Sequence, residues 1–441
     1  MPCEIIMKKK AIAIVLILCL TMPAAACSKA GFTEAVPPKY DGVQQFSEGM
    51  AAVMLDGKWG FIDKAGNEVV PPEYEVVRQF SEGMAAVKSG DWRTGKWGFI
   101  DKAGNVAVPF SYDGAGSFSD GLARVTIDGK CGYIDKNGDV AIPLEYDSAG
   151  DFSEGLAAVN VGAVNHGFDY TEGGKWGFID KEGRMVVPTI YDGLHLVPTT
   201  DGNLSVDGYH EGFAAVMTIV ENKGKWGFID RTGDVVVPVE YEAVFPFSDG
   251  MALIAINIFY DYIDFAVVDS SGTEIVQPSK FNLINNYAEG LAAVRNDIWV
   301  DGKWGFIDKV GNEILPFEYD EVGVGFSEGL AAVSVGEHNE NGSIREYVGK
   351  WGFIDSDGNT IIPMKYDYAT EFEEGLAAVN IGAVTENSEG DLLPHGGKWG
   401  FIDKKGKEII PCKYDSVEGF SDGMAAVCLD NKWGYVSMLS H

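Results

Sequence analysis

Apolar and polar residues alternate along this chain in short runs with a period of two, and each run ends at a turn bearing glycine. In Lys58-Trp59-Gly60-Phe61-Ile62-Asp63, one side of the chain carries Trp59, Phe61 and Asp63 and the other carries Gly60 and Ile62, which is the period of a strand. Asp63-Lys64-Ala65-Gly66-Asn67 then places Gly66 where a type I turn with a G1 bulge requires positive φ. Extended chain resumes at Glu68-Val69-Val70-Pro71, and the strand before the tryptophan is Gly49-Met50-Ala51-Ala52-Val53. No long stretch shows the 3.6-residue apolar period of a helix, so the pattern predicts an almost wholly β protein.

The same pattern returns ten times between residues 37 and 436. Its unit reads P-x-x-Y-D, then F-S-E-G-x-A-A-V, then G-K-W-G-F-I-D-x-x-G-N. The tryptophan column holds Trp59, Trp97, Trp176, Trp226, Trp304, Trp351, Trp399 and Trp433, with Cys131 in the third copy and Phe265 in a degenerate sixth. The shortest step, 34 residues from Trp97 to Cys131, suits three short strands and their turns. A large ring beside a glycine can close over a neighbouring unit, so these tryptophans are expected to be a structural core between repeats.

The first unit begins with the tail of the motif, Val36-Pro37-Pro38-Lys39-Tyr40-Asp41, and the last stops at Lys432-Trp433-Gly434-Tyr435-Val436 without it. The two ends complement each other, as they would if an N-terminal strand completed the last blade of a ring and so protected the sheet edges. The expected fold class is therefore an all-β tandem repeat of ten short antiparallel β-meander units, with a propeller-like toroid favoured over an open β-solenoid. Against closure stands the blade count, since propellers usually have about four to eight. Trp92 and Trp299 each lie five residues before a repeat tryptophan, and Val159 to Val164 is echoed by Val379 to Val384, so the ten units read as two sets of five.

These motifs resemble the bacterial WG-repeat (KWG-type repeat) family over residues 37–436, with eight intact Trp-Gly pairs. The resemblance implies a tandem β architecture, often on exported bacterial proteins, and no agreed chemistry. It carries no catalytic residues to transfer.

Ahead of the repeats, Lys8-Lys9-Lys10, the apolar run Ala11 to Leu20 and Pro23-Ala24-Ala25-Ala26 form a secretory signal over residues 1–26, with Met7 as the expected start. The run is too short for a spanning helix, which needs about 20 apolar residues. Cys27 after three alanines resembles the bacterial lipobox, with Ala24 where leucine is more usual; the alternative is an ordinary cleaved signal with an incidental cysteine. Lipidation at Cys27, followed by a short linker over 27–36, would place the protein on the outer face of a membrane, attached through its lipid alone. Residues 437–441 form a C-terminal tail. Only Cys131, Cys412 and Cys428 remain in the repeats, which is no disulfide framework; Cys412 and Cys428 are either a pair or isolated small apolar residues.

Of 441 residues, 46% are apolar and 12% aromatic, enough for a large core, and 56 glycines without a Gly-X-Y period exclude collagen. The 34 basic and 66 acidic side chains give a net charge of −32, which argues against nucleic acid as a partner.

Repeated residues build the scaffold, so chemistry is sought where the copies differ. Between Ala-Ala-Val and Lys-Trp-Gly, three copies carry long insertions, Asn160 to Gly174, Ser334 to Gly349 and Asn380 to Gly397, all in the same hairpin and therefore on one face. A further insertion, Gly193 to Gly208, leaves from a different joint. Five of the six histidines, His166, His195, His210, His338 and His395, lie in or beside the insertions. The candidate binding face is His166, Tyr170, His338, Tyr347, Glu389 and His395, read either as a polar or metal-ligating site or as ordinary polar loop surface. The Asp-x-x-Gly turns fit hairpins better than calcium loops, because Ala65, Ala103, Glu182, Thr232 and Val310 fill a position where a calcium loop has Asp or Asn. The recurring Glu48, Glu82, Glu154 and Glu328 are read as turn residues, and no nucleophile, zinc or phosphate-loop motif occurs. The expected function is an envelope-anchored, non-catalytic interaction module, without cofactor, whose partner is a protein, peptide or envelope glycan. The alternative is a hydrolase of envelope polymers using acidic residues on the non-repeated loops.

Overall fold

The computed structural model describes residues 31–165, 171–198, 204–206, 208–258, 263–278, 280–297, 302–341, 344–384 and 395–438. They form a ten-bladed β-propeller, with no helix among the described residues. Each blade is an antiparallel sheet of four strands, not three. The strand missed by reading the repeat length is the inner one, two residues long in six blades and six or seven in the other four. In blade 2 it is Val76–Val77, followed by Met84–Ser89, Lys96–Asp101 and the outer strand Val106–Tyr112. It escapes the period-two pattern because two residues cannot display one.

The last sheet joins the two ends of the repeat region. Ser416–Ser421, Met424–Leu429 and Lys432–Met438 are completed by Phe32–Tyr40, which pairs antiparallel with Lys432–Met438, Val36 opposite Tyr435 and Tyr40 opposite Trp433. The ring is therefore closed, and the complementary motif fragments at the two ends are halves of one blade.

The motif residues account for how blades hold one another. Phe-Ser-Glu-Gly ends in a two-residue turn in which Glu48 (φ 54) and Gly49 (φ 83) are both left-handed, with Ser47 and Met50 exchanging backbone hydrogen bonds. A glutamate is strained there, and Asn-Gly would suit the turn better. Its carboxylate supplies the reason for its presence: Glu48 accepts hydrogen bonds from Glu82 N (2.7 Å) and Gly83 N (2.9 Å) of the next blade. Ser47 Oγ donates to Phe80 O (2.8 Å) across the same junction. At the closing junction Ser421 Oγ donates to Phe46 O (2.9 Å) and Asp422 accepts from Gly49 N.

The opposite face has its own staple. Lys of each Lys-Trp-Gly pairs with the acid after the outer-strand tyrosine, as in Lys175–Asp192 (2.6 Å), and the second carboxylate oxygen accepts a backbone N–H from the next blade's hairpin, Ile219 N at 2.9 Å. Lys432–Asp41 (2.5 Å), with Asp56 N donating to Asp41 (2.8 Å), repeats the arrangement at closure.

Between these two faces lies a ring of aromatic contacts. Phe61–Phe80, Phe99–Phe118, Tyr133–Phe152 and Phe401–Phe420 meet across successive junctions with centroids 4.8–5.0 Å apart, and Tyr435–Phe46 closes the series at 4.8 Å. Each such pair contributes about 1 kcal/mol beyond burial.

The glycine of Trp-Gly answers to a different neighbour from the one expected. A Cβ on Gly60 would lie 2.4 Å from Val70 O and 2.6 Å from Pro72 N, both on the outer strand of its own blade. The ladder is irregular there, between the pairs Trp59–Tyr74 and Phe61–Val70, so the outer strand leans onto the glycine. The glycine accommodates the edge of the blade rather than a ring from the next repeat.

Candidate functional site

Inner strands of adjacent blades stand side by side around the axis and form the wall of a central channel. In the repeat, the two positions before the motif phenylalanine have no consensus: Gln44-Gln45, Arg78-Gln79, Gly150-Asp151, Asn285-Asn286, Thr370-Glu371. Their backbone continues the inner strand, Gln44 N donating to Ala52 O and Asn285 N to Ala293 O (both 2.9 Å), which fixes these side chains on the wall.

Charge is unevenly spread on that wall. On blades 2 to 4, Arg78 donates from Nε to Ala115 O (2.9 Å) and lies 5.6 Å from the Trp97 ring, while Arg124 lies 3.4 Å from Asp151. On blades 9 and 10 the wall carries Glu371, Glu373 and Glu418. Burial pushes Glu373 above its usual range, with the negative charges of Glu371, Glu374 and Glu328 adding to the effect, and burial likewise raises Glu418.

Blades 6 to 9 form the third stretch, and there the wall opens into a cavity of ≈ 570 Å³. Phe245, Leu253, Phe265 and Ile284 make its apolar back, and Asn285, Asn286, Thr370 and Glu371 bring polar groups to it. Its origin is the degenerate sixth copy. Phe265 stands in the tryptophan column and Val267 where other blades have phenylalanine or tyrosine, while Leu253 takes the place of the second alanine and faces Val267. At the other end of the cavity Tyr368 sits between Trp351 (centroids 5.2 Å apart) and Trp399 (5.8 Å).

The residues singled out from sequence fall in several places. Asn160 to Gly174, Ser334 to Gly349 and Asn380 to Gly397 occupy the same hairpin, between the second and third strands of blades 4, 8 and 9. His338 pairs with Tyr347 in blade 8 and His395 with Val384 in blade 9. His166, Tyr170, Glu389 and the lipidation candidate Cys27 lie outside the described residues. Blades 8 and 9 are neighbours, whereas blade 4 is half a turn of the ring from blade 9, so the hairpins do not form one cluster. Their bases are alike at that distance: Asn160 and Asn380, both buried, donate to Gly173 O and Gly396 O at 3.3 Å, as expected of a five-unit duplication. His195 is half-buried at the end of blade 5's inner strand and His210 is exposed in the following turn.

Of the repeat tryptophans, Trp97, Trp304 and Trp351 are buried, while Trp59, Trp176, Trp226, Trp399 and Trp433 are half-buried. The fully enclosed aromatics are instead phenylalanines and tyrosines such as Phe61, Phe80 and Phe99. Cys131, Cys412 and Cys428 are free thiols. The carboxylate of each Asp-x-x-Gly turn is used by the turn itself: Asp63 Oδ1 accepts from Ala65 N and Asn67 N at 2.9 Å, and Gly66 has φ 79, the bulged hairpin read from sequence.

Sequence reasoning missed the channel wall. The signal was present as two columns without consensus inside an otherwise repeated segment, and it is legible only once the inner strand is known to exist.

Comparison with known proteins agrees with this architecture. The model of the family described as WG containing repeat matches residues 32–59, 59–91, 97–131, 132–163, 176–197, 226–257, 265–297, 304–337, 351–383 and 399–433. No curated protein matches the chain. Among solved structures, dipeptidyl peptidase 4 of Porphyromonas gingivalis is similar at 12% identity and TM-score 0.42, over 89% of this chain and 65% of that one. The β-propeller domain of the Trilobed protease from Pyrococcus furiosus is similar at 10% identity and TM-score 0.30, over 63% and 99%. Apo AztD from Citrobacter koseri is similar at 13% identity and TM-score 0.29, over 72% and 92%. Likenesses this distant bear on no activity.

Proposed function

The chain belongs to the WG containing repeat family, and from that premise we propose that it is an exported, lipid-anchored ring that binds a partner and does not transform it. The observation that carries this reading is the fate of the repeated polar residues. The glutamates of Ser-Glu-Gly, the aspartates of Tyr-Asp and the lysines of Lys-Trp-Gly are engaged in junctions between blades, as Glu48, Asp192 and Lys175 illustrate. What differs between copies is gathered on the channel wall and on the hairpins of blades 4, 8 and 9. A surface made of variable residues on a rigid frame suits recognition.

The partner is a protein, peptide or envelope glycan, and Cys27 carries the anchor. With a net charge of −32, the ring favours cationic groups, and added salt weakens the association.

The test uses the chain from Ser28 onward as bait against envelope extracts and purified wall glycan. In one variant the three long hairpins are shortened to the four-residue turn of blade 1; in a second the channel pair Asn285-Asn286 is changed to Ala-Ala. Graded loss of captured material in either variant supports binding through the variable surface. Turnover of wall glycan that disappears with one loop carboxylate would replace this reading with the hydrolase.

A further inference from the structure

We propose that the channel wall of blades 6 to 9 is a binding site for a small organic cation with an aromatic or apolar body. This rests on the binding reading above and assigns it a place and a ligand chemistry.

Size supports the assignment first. A volume of ≈ 570 Å³ falls within the range of about 300–1,000 Å³ typical of small-molecule sites. The walls support it next. Phe245 and Phe265, with ring centroids 5.8 Å apart, and Leu253 and Ile284 offer an apolar floor that an alkyl or aromatic body would cover. Tyr368, half-buried in the lining beside Trp351 and Trp399, adds an aromatic ring to which a cationic head is attracted.

Charge decides between ligand classes. Glu371 is the one acidic or basic residue among the lining residues, and Glu373 and Glu374 follow it in sequence on the same blade. The arginines of the wall, Arg78 and Arg124, belong to blades 2 and 3, outside the lining. An anion entering here would face the Glu371 carboxylate, whereas an ammonium group finds a counter-ion at Glu371 and amide oxygens at Asn285 and Asn286.

The internal repeat provides a control. Tryptophan occupies the column of Phe265 in eight of the ten blades, so Phe265→Trp fills the back of the cavity with a side chain that the fold already accommodates at equivalent positions.

Isothermal titration of the chain from Ser28 with phenethylammonium, neutral 2-phenylethanol and anionic phenylacetate tests the proposal. Phenethylammonium should bind saturably and phenylacetate at least about tenfold more weakly. Glu371→Gln should weaken phenethylammonium by about tenfold while leaving 2-phenylethanol unchanged, and Phe265→Trp should remove binding of both. Equal affinity for phenylacetate, no binding of phenethylammonium, or full affinity in Glu371→Gln, which changes a half-exposed wall residue and keeps the proposal open to test if Phe265→Trp fails to fold, would overturn it. If envelope capture persists in that event, the ligand class falls and the broader binding reading stands; if capture is absent as well, both fall.

Discussion

Blade 2 and blade 6 are built from the same repeat, and they differ in the third strand, in the residue packed opposite it, in the staple and in the outer strand. Blade 2 has Trp97, Gly98 and Phe99 on its third strand, Ala86 opposite Phe99, a Lys96–Asp113 staple and a seven-residue outer strand, Val106–Tyr112. Blade 6 has Phe265, Ala266 and Val267, with Leu253 opposite Val267, Asp264 and Asn282 at the staple positions, and an outer strand of three residues, Glu274–Val276. The differences are coupled. An alanine at 266 would meet the outer strand where Gly98 lets it pass, since a Cβ on Gly98 would lie 2.7 Å from Val108 O, and the outer strand of blade 6 stops there. Exchange of Ala–Phe for Leu–Val keeps the blade's core filled, but the loss of the indole leaves the cavity at the channel wall. The clasp to the next blade is kept: Asp249 accepts from Gly290 N and Ser248 Oγ donates to Tyr287 O (2.8 Å). Blade 6 has therefore given up its outer edge and part of its interior while retaining its place in the ring.

The largest expected effect comes from imposing blade 6's residue on blade 2. Gly98→Ala forces a methyl group into the outer strand's backbone, 2.7 Å from Val108 O, and should cost about 3 kcal/mol or prevent folding, whereas Ala266→Gly in blade 6 should change stability by less than about 1 kcal/mol. Urea unfolding midpoints of the two variants check this, and similar costs for both would break the comparison.

Next comes the core exchange. Phe99→Val should destabilise by about 3 kcal/mol, and adding Ala86→Leu should restore roughly half of it, because blade 6 shows that the Leu–Val pair fills the same layer. A double-mutant cycle with no coupling would show that blade 6 is filled in some other way.

The junction clasps should not distinguish the two blades. Glu82→Ala, which removes the acceptor for Gly121 N, and Asp249→Ala should each lower stability by about 1 kcal/mol. A much smaller cost at Asp249 would mean that blade 6 is loosely seated.

The smallest effect is on the pH profile. The Lys96 ammonium and then the Asp128 N–H hold Asp113 below the ordinary carboxylate range against partial burial, and Lys432 and Asp56 N–H do the same for Asp41. Stability from such depressed groups is present above their unfolded values, about 4, and is lost as pH falls through the lower folded values. Glu373 and Glu418 are raised by burial, so their contribution is greatest at low pH and is lost as pH rises through their folded values. The thermal midpoint should rise slightly as pH drops through the raised folded values of Glu373 and Glu418 and fall steeply below about 4. Glu418→Gln should flatten the rise and leave the acid limb unchanged.

Much of this fold is legible in the sequence, because the information repeats. The third strand, the bulged Asp-x-x-Gly turn and the complementary ends each recur or match in a way a single copy could not establish. The inner strand is not legible, since two residues such as Val76–Val77 carry no periodicity, and the longer inner strands such as Gly114–Ser119 are broken by a shift of register. The roles of Glu48 and Gly60 were read only in part. Both were recognised as local turn or packing residues, yet Glu48 reaches the next blade and Gly60 yields to a strand ten residues further along, contacts that depend on blade geometry. The cavity was marked by the degenerate sixth copy, but a lost consensus does not say which neighbour is exposed.

Hydrogen exchange read blade by blade on the chain from Ser28 tests most directly the claim that repeated residues close the ring and that it loosens where the repeat fails. Amides of Val36, Lys39 and Tyr40 should be protected as well as those of the other outer strands, and Phe281 should exchange at least about tenfold faster than its counterpart Tyr112, whose strand remains paired opposite Trp97. Rapid exchange at Val36, Lys39 and Tyr40, or equal protection of Phe281 and Tyr112, would contradict it.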